Sequence, residues 1–462
     1  MIFTARPTVE LDTLRRQFSG DIHAPGDAGY DDARQAWNLL VDQQPALVAV
    51  PRTAQDIAAV VRFAREAGLR VAPQGTGHNA QARSGLQDSI LLNTKLMRGV
   101  RIDAERRRAR VEAGALCGDL TAPASELGLA ALGGSSPDVG LVGFCLGGGI
   151  GWMARTFGLC CNSIISLEVV TADGQELTCD HQRNPELFWA LRGGTGSVAI
   201  ITAMELQLFD VPELYAGAML WPWERASEIL HAWREWTLDA PESVTTSARI
   251  LQVPPVPEIP EIIRGRQFVV IDGAVLGSAA YAEEVLAPLR ALEPEIDLFA
   301  MALPAALSHL HMDPEHPVPG IGDHQMLEEL PAEAIDQLVA VAGHESGSPL
   351  LAVELRHIGG ALSRIPAGAG ACGRLEAAYI LFAVGTPMTP EMAAAIPPRL
   401  AQVKAALEPW KATRPYLNFA EHPTDTSTAF GTDAFAALQV IKAQYDPYDM
   451  IHANHAIAPA GR

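Results

Sequence analysis

The chain has 462 residues, 48% of them hydrophobic and 19% charged, and carries a net charge of −20. That composition describes a globular protein of two or three domains, and the acidic excess argues against partners such as nucleic acid or an anionic membrane surface. No run of about 18 apolar residues is present to cross a bilayer, the opening residues lack the apolar core of a signal peptide, and the six cysteines contain no Cys-x-x-Cys pair, so reduced thiols in a cytoplasmic protein are expected and a zinc site is not.

Residues 1–45 are mixed. From 46 the order is clear: 46–50 reads as a strand ended by Pro51, and Thr53 caps a helix with Asp56 placed to return the bond. Ile57, Val60, Val61 and Ala64 recur at helical spacing, Gly68 stops the helix, and 69–72 is a second strand. It opens into Gln74-Gly75-Thr76-Gly77-His78-Asn79. Glycines there let a ligand approach the main chain, successive amides can cradle a phosphate, and His78 adds a nucleophilic nitrogen. Taken alone, such a turn is more often an ordinary loop.

Residues 89–93 form a strand, 99–113 a hairpin turning at 103–107, and 119–127 a helix stopped by Gly128. Residues 133–158 then mix many glycines with Val, Leu, Phe, Ile and Trp. Glycine at that density is costly in ordinary elements, and a mobile loop does not carry such apolar side chains, so backbone packed against a flat or phosphorylated ligand is expected. A hairpin joins 164–171 to 175–179 across Asp173-Gly174. Asn184 caps a helix with Pro185 at its first position, the helix ends at 192–196, and 199–208 is a strand.

Composition shifts near Val211-Pro212. Up to about 410, apolar alternating runs (215–220, 246–252, 268–272, 349–355, 377–384) are interspersed with helices (224–236, 279–291, 331–342, 389–405). This predicts an antiparallel sheet backed by helices. Alternation along 352–358 puts Glu354, Arg356 and Ile358 on one face and His357 on the other, with Tyr379 on the next strand. Residues 253–260 and 312–322 read as proline- or glycine-rich loops. His309, His311, His316 and His324 lie in and around the second, match no common zinc spacing, and read as surface-loop residues. A short strand at 416–419, a helix at 432–444 and a tail at 445–457 close the chain.

Four of these segments resemble the berberine-bridge-enzyme-like family of FAD-linked oxidoreductases, within the vanillyl-alcohol-oxidase and p-cresol-methylhydroxylase type of fold. Residues 71–79 resemble its Arg-Gly-Gly-Gly-His-Ser turn, and 136–151 its Cys-Pro-Thr-Val-Gly-x-Gly-Gly-His-x-Leu-Gly-Gly-Gly-x-Gly segment. Residues 185–202 resemble its Pro-Asp-Leu-Phe-Trp-Ala-Leu-Arg-Gly-Gly block, and 445–457 its Tyr-Asp-Pro-x-Asn-x-Phe-Arg-x-Asn-x-x-Ile tail. The resemblance implies an α+β fold with an FAD-binding domain over 1–210 (core about 42–210), a substrate-binding domain over 211–410, and a return of 411–462 to the first domain.

It further implies FAD attached covalently through His78 only, because Ser136 stands where some members have a second, cysteinyl link. The turn would contribute Gly75, Thr76, Gly77, His78 and Asn79. The second segment would contribute Ser136, Pro137, Val139, Gly140, Gly143, Gly147, Gly148, Gly149 and Gly151; Ile200 and Asn454 complete the set. Gln74 departs from the basic residue of the turn. Thr195 and Ser197 replace Gly and Asn, which is expected to loosen or reshape the flavin contacts. Val139 resembles the oxidase type, whose small side chain at this position admits oxygen.

The implied reaction is hydride removal from a C–H next to nitrogen or oxygen in a small amine, alcohol or sugar, with O2 as acceptor and H2O2 as product, in a monomer or homodimer. Many members carry a catalytic tyrosine where this chain has Phe419, which cannot abstract a proton. Arg356, Tyr379, Tyr416 and Glu354 are the candidates for the vacated role. A dehydrogenase using another acceptor and a flavin-binding protein without redox catalysis remain alternatives, whereas a plain Rossmann domain fits the segment order poorly.

Overall fold

A computed structural model of the chain describes residues 6–83 and 85–461. Residues 1–5, on which the signal-peptide expectation chiefly rests, lie outside the described residues. No helix among the described residues is long and apolar enough to cross a membrane.

The strand–helix–strand unit forms as the sequence dictates. Leu47–Val50 is buried at every position and runs parallel to Ser89–Asn93, which pairs in turn with Arg70–Gln74. Parallel strands covered on both faces read as continuous apolar runs. The Ala54–Ala67 helix starts with a complete capping box: Thr53 Oγ1 accepts from the Asp56 N–H, and the Asp56 carboxylate accepts from the Thr53 N–H. Gly68, at φ 69°, ends it. Asp21–His23 adds an antiparallel edge strand to this four-stranded sheet.

A second, five-stranded antiparallel sheet takes the order Val100–Asp103, Arg108–Glu112, Ile200–Gln207, Ile164–Val170, Glu176–Cys179. The third sheet is large and antiparallel. Its main order is Leu214–Pro222, Gln267–Val275, Val244–Gln252, Ala352–His357, Tyr379–Gly385, Ile321–Leu327. One face is covered by the Ala226–Asp239, Ala279–Arg290, Ala332–Ala342 and Pro390–Leu407 helices, around a core of Trp221, Trp233, Leu286, Leu338 and Leu381. Its other face turns toward the glycine-rich half of the chain: Ala274, Met326 and Ile380 share a core with Trp152, Tyr416 and Leu417. The α+β class is therefore correct, and so is the antiparallel sheet backed by helices.

Three expectations are corrected. Ile321–Leu327 is a strand, running through the end of the expected loop, because it pairs along its whole length with Tyr379–Gly385. Residues 417–419 form a 3-10 turn and not a strand. Asn184 stands at the helix start in a left-handed conformation, φ 46°, and its side chain donates to the Thr178 carbonyl (2.9 Å) without capping the helix.

Candidate active site

The four glycine-rich and tail segments converge. The tail runs beside the Arg70–Gln74 strand, with the Val71 N–H bonded to the Met450 carbonyl (2.8 Å) and the His452 N–H to the Val71 carbonyl (2.8 Å). Asn454 Nδ2 donates to the Asn79 carbonyl at 2.7 Å. The Thr195 hydroxyl donates to the His455 carbonyl (2.8 Å), the Ser197 hydroxyl accepts from the Ile457 N–H (3.2 Å), and the Thr195 N–H reaches the Leu146 carbonyl (3.2 Å). Thr195 and Ser197 thus fasten the tail to the 193–200 block. Thr195 does so at φ 67°, a conformation in which a β-branched residue is an outlier.

Backbone in the second segment is held as tightly. Tyr416 Oη accepts from the Gly149 N–H (2.9 Å), and Asn418 Nδ2 donates to the Phe144 carbonyl (2.9 Å). A Cβ at Gly147 would fall 1.6 Å from Asn418 Oδ1, and one at Gly151 would fall 2.1 Å from the Gly133 carbonyl oxygen, so neither position admits a side chain without displacement. Gly143, in contrast, faces open space, and a Cβ on Gly75 would meet nothing nearer than Gly140, at 3.9 Å. The Ile200 side chain packs beside Val170 in the α/β core, 1% exposed, which leaves only its backbone for a ligand.

Buried polar atoms without a partner mark the same place. Gln74 Nε2, Asn79 Oδ1, Trp152 Nε1 and His455 Nδ1 all lack a hydrogen bond, and all four residues belong to the converging segments or follow them directly. A buried polar group without a partner costs about 1–3 kcal/mol, so a ligand that satisfies several of them at once fits this cradle. Arg83 adds a buried guanidinium with no carboxylate partner among the described residues; it donates to Gln74 Oε1 (3.0 Å) and the Pro73 carbonyl (3.0 Å), and burial pushes its pKa down to about 10. Glycine backbone, unpaired donors and an unpaired cation suit the pyrophosphate and ring edges of FAD.

Opposite lies the inner face of the large sheet, which is polar. Arg249 pairs with the fully buried Asp272, and Ser247 donates to the same carboxylate. Burial raises the Asp272 pKa against the pull of Arg249. Arg356 Nε binds Glu354 Oε1 at 2.7 Å, and its guanidinium lies over the rings of Trp152 (5.4 Å) and Phe419 (5.5 Å). Buried His311 stands edge-on to Trp152, with Nε2 3.6 Å from Asp272 and 3.8 Å from Glu354; burial and the two arginines keep it neutral. His324, also buried, accepts the Tyr416 N–H on Nε2 (3.2 Å), and burial pushes its pKa down to about 4. His311 and His324 are therefore interior residues and not parts of a surface loop; His309, paired with Glu315, and exposed His316 lie in the loop as expected.

Of the four catalytic candidates, Glu354 and Arg356 share this inner face. Tyr379 does not: it is in register with His357, on the helix-covered side, and its hydroxyl bonds Thr237 (2.6 Å). The Tyr416 hydroxyl is engaged with Gly149 and Asn418, and burial raises its pKa well above 10. Sequence reasoning missed Glu421. Its Oε2 accepts the Gly322 N–H (2.9 Å) near the tip of Phe382, whose ring lies 5.3 Å from Phe419, and burial pushes its carboxyl up to about 7. It also missed Trp37, Arg249 and Asp272; the last two could have been found by extending the alternation rule to the 246–252 and 268–272 runs.

The glycine-rich cradle thus faces a polar sheet surface across one site. Residues 45–180 match the FAD binding domain family. The chain is 36% identical over 203 residues to (R)-6-hydroxynicotine oxidase of Paenarthrobacter nicotinovorans, a stretch covering 44% of each chain. It is 33% identical over 222 residues to glucooligosaccharide oxidase of Sarocladium strictum, covering 47% of this chain and 44% of that one. These matches span less than half of the relatives' length. Berberine bridge enzyme from Eschscholzia californica shares the fold, with a TM-score of 0.85 at 19% identity over 98% of this chain and 99% of that one. The resemblance read from the four segments thus extends to the whole fold.

Proposed function

We propose that the chain is an FAD-dependent oxidase that removes a hydride from a C–H next to nitrogen or oxygen in a small amine, alcohol or sugar and uses O2, releasing H2O2. Residues 1–210 and 411–462 hold the cofactor in this reading, 211–410 the substrate, and His78 is the point of covalent attachment. Relatives named as oxidases of hydroxynicotine and of glucooligosaccharide support the class. The observation that carries the reading is the juxtaposition of unpartnered buried polar atoms on the cradle with buried ion pairs on the facing sheet.

Bound FAD supplies the two-electron acceptor. The Arg356–Glu354 pair offers one donor fork and one acceptor to orient a polar substrate, and the Trp152, Phe382 and Phe419 rings exclude water beside it. Phe419 provides no proton acceptor; Glu421, with a carboxyl poised near neutral pH, is the group suited to take the substrate proton. Neutral His311 and His324 add no positive charge to oppose a cationic amine. Val139 keeps the side chain of its position small. The test is anaerobic titration of the yellow protein with amines, alcohols and sugars, followed by air. Bleaching and recolouring within seconds is expected; recolouring over minutes indicates a dehydrogenase, and no bleaching by any class contradicts the proposal.

A further inference from the structure

The surroundings of His78 hold a constellation that the family pattern does not contain. Position 138 is aspartate, where the family segment has threonine. Asp138 receives three groups: Ser136 Oγ donates to Oδ1 (2.8 Å), Trp37 Nε1–H donates to Oδ2, and His78 Nε2 lies 3.4 Å from Oδ1. The His78 ring is stacked on Trp37, with centroids 4.1 Å apart and planes 21° apart. Nε2 is buried and lies beside that carboxylate but off the hydrogen-bonding direction, and Nδ1 has no hydrogen bond among the described residues. One side chain therefore fixes the plane of the imidazole and another faces its Nε2 edge. Burial raises the Asp138 pKa, but the contacts from His78, Trp37 and Ser136 outweigh it and hold the carboxyl below its ordinary range.

We propose that Asp138 is a positioning residue for flavin attachment: its carboxylate keeps the imidazole proton on Nε2 and presents Nδ1 as the nucleophile to the 8α carbon of FAD. The proposal rests on the reading of the chain as a covalent flavoprotein. A carboxylate on one ring nitrogen sets the tautomer and stabilises the positive charge that grows as the other nitrogen reacts. In the step, a C–H bond of the 8-methyl group breaks and an Nδ1–C bond forms. The flavin ring takes the electron pair, and the methyl proton and the Nε2 proton end on the two-electron-reduced flavin. O2 then removes two electrons and two protons as H2O2 and restores the oxidised, attached flavin.

The experiment adds FAD to apo-protein and follows both total bound flavin, by absorbance, and acid-precipitable flavin. Wild type should bind and then attach it. Asp138→Asn should bind FAD to the same extent but attach it at least tenfold more slowly, Asp138→Glu should recover part of the rate, and Trp37→Phe, which keeps the stack and removes the indole N–H, should slow it severalfold. Attachment by Asp138→Asn at the wild-type rate overturns the proposal, as does loss of FAD binding itself in that variant. Should Asp138→Asn fail to fold, an unchanged rate in Trp37→Phe and Asp138→Glu overturns it instead. Failure of the underlying reading is distinct: wild type with no acid-stable flavin, or His78→Ala that still acquires it.

Discussion

Lys442 and Asp446 form an ion pair that is 0% exposed on both sides, at the end of the Thr432–Tyr445 helix and the start of the tail. Lys442 Nζ donates to Asp446 Oδ2 (2.6 Å) and to the Ser197 carbonyl (2.8 Å), with the Ile451 carbonyl at 3.4 Å. Asp449 Oδ1 is 3.0 Å away but off the hydrogen-bonding direction. One ammonium thus ties the 193–200 block to the tail that lies along Val71. Lys442→Met strands the Asp446 carboxylate, which keeps two backbone donors, the Met450 N–H (2.7 Å) and the Ile451 N–H (2.8 Å). Breaking a buried pair from one side costs about 3–5 kcal/mol, and those remaining donors place this case at about 3 kcal/mol. Native-state hydrogen exchange at the Met450 and Ile451 amides should then accelerate by about a hundredfold, and bound FAD should be lost more readily. Lys442→Met with Asp446→Asn should recover part of the loss, because no bare charge is left. Exchange within about fivefold of wild type in the single variant would refute the reasoning.

Gly147→Ala forces Asn418 off Phe144; a loss of about 1–3 kcal/mol should show as a lower Tm and weaker FAD retention, and an unchanged Tm contradicts it. Arg356→Met leaves buried Glu354 without its charged partner; for whichever substrate bleaches the wild type, kcat/KM should fall roughly ten- to hundredfold, and a wild-type value removes the pair from the substrate site. His324 is neutral when folded, with its pKa pushed down to about 4 from an ordinary value of 6.5. The unfolded chain therefore binds more protons between those values, so stability is complete above about pH 6.5, falls as the pH drops, and levels off below about pH 4. Thermal melts across that range should show a shallower fall in His324→Gln than in wild type, and equal slopes contradict the assignment.

Local rules carried the reading where neighbours in sequence are neighbours in space. The Thr53–Asp56 cap, the Gly68 stop and the Asp173-Gly174 turn involve contacts only a few residues apart, and all formed. They failed where register decides. Alternation placed Glu354 opposite His357 correctly, but only the pairing of His357 with Tyr379 shows that Tyr379 faces the helices. The Ile321–Leu327 strand was hidden because Gly322, Asp323 and His324 are polar and follow a glycine- and proline-rich stretch; its burial comes from the Tyr379–Gly385 strand and from Tyr416. Burial of His311 likewise depends on Trp152 and on Asp272 of a distant strand. Asp138 was passed over in the sequence, and its partner Trp37 lies 101 residues earlier, beyond any local rule.

The central claim is that the four converging segments enclose one FAD, joined to the chain at His78. It is tested most directly by recording the visible spectrum of the purified protein, precipitating it with acid, and mapping flavin-bearing peptides by mass spectrometry. One flavin per chain, on the peptide containing His78, is the predicted result. A colourless protein that takes up no FAD when it is supplied would contradict the account.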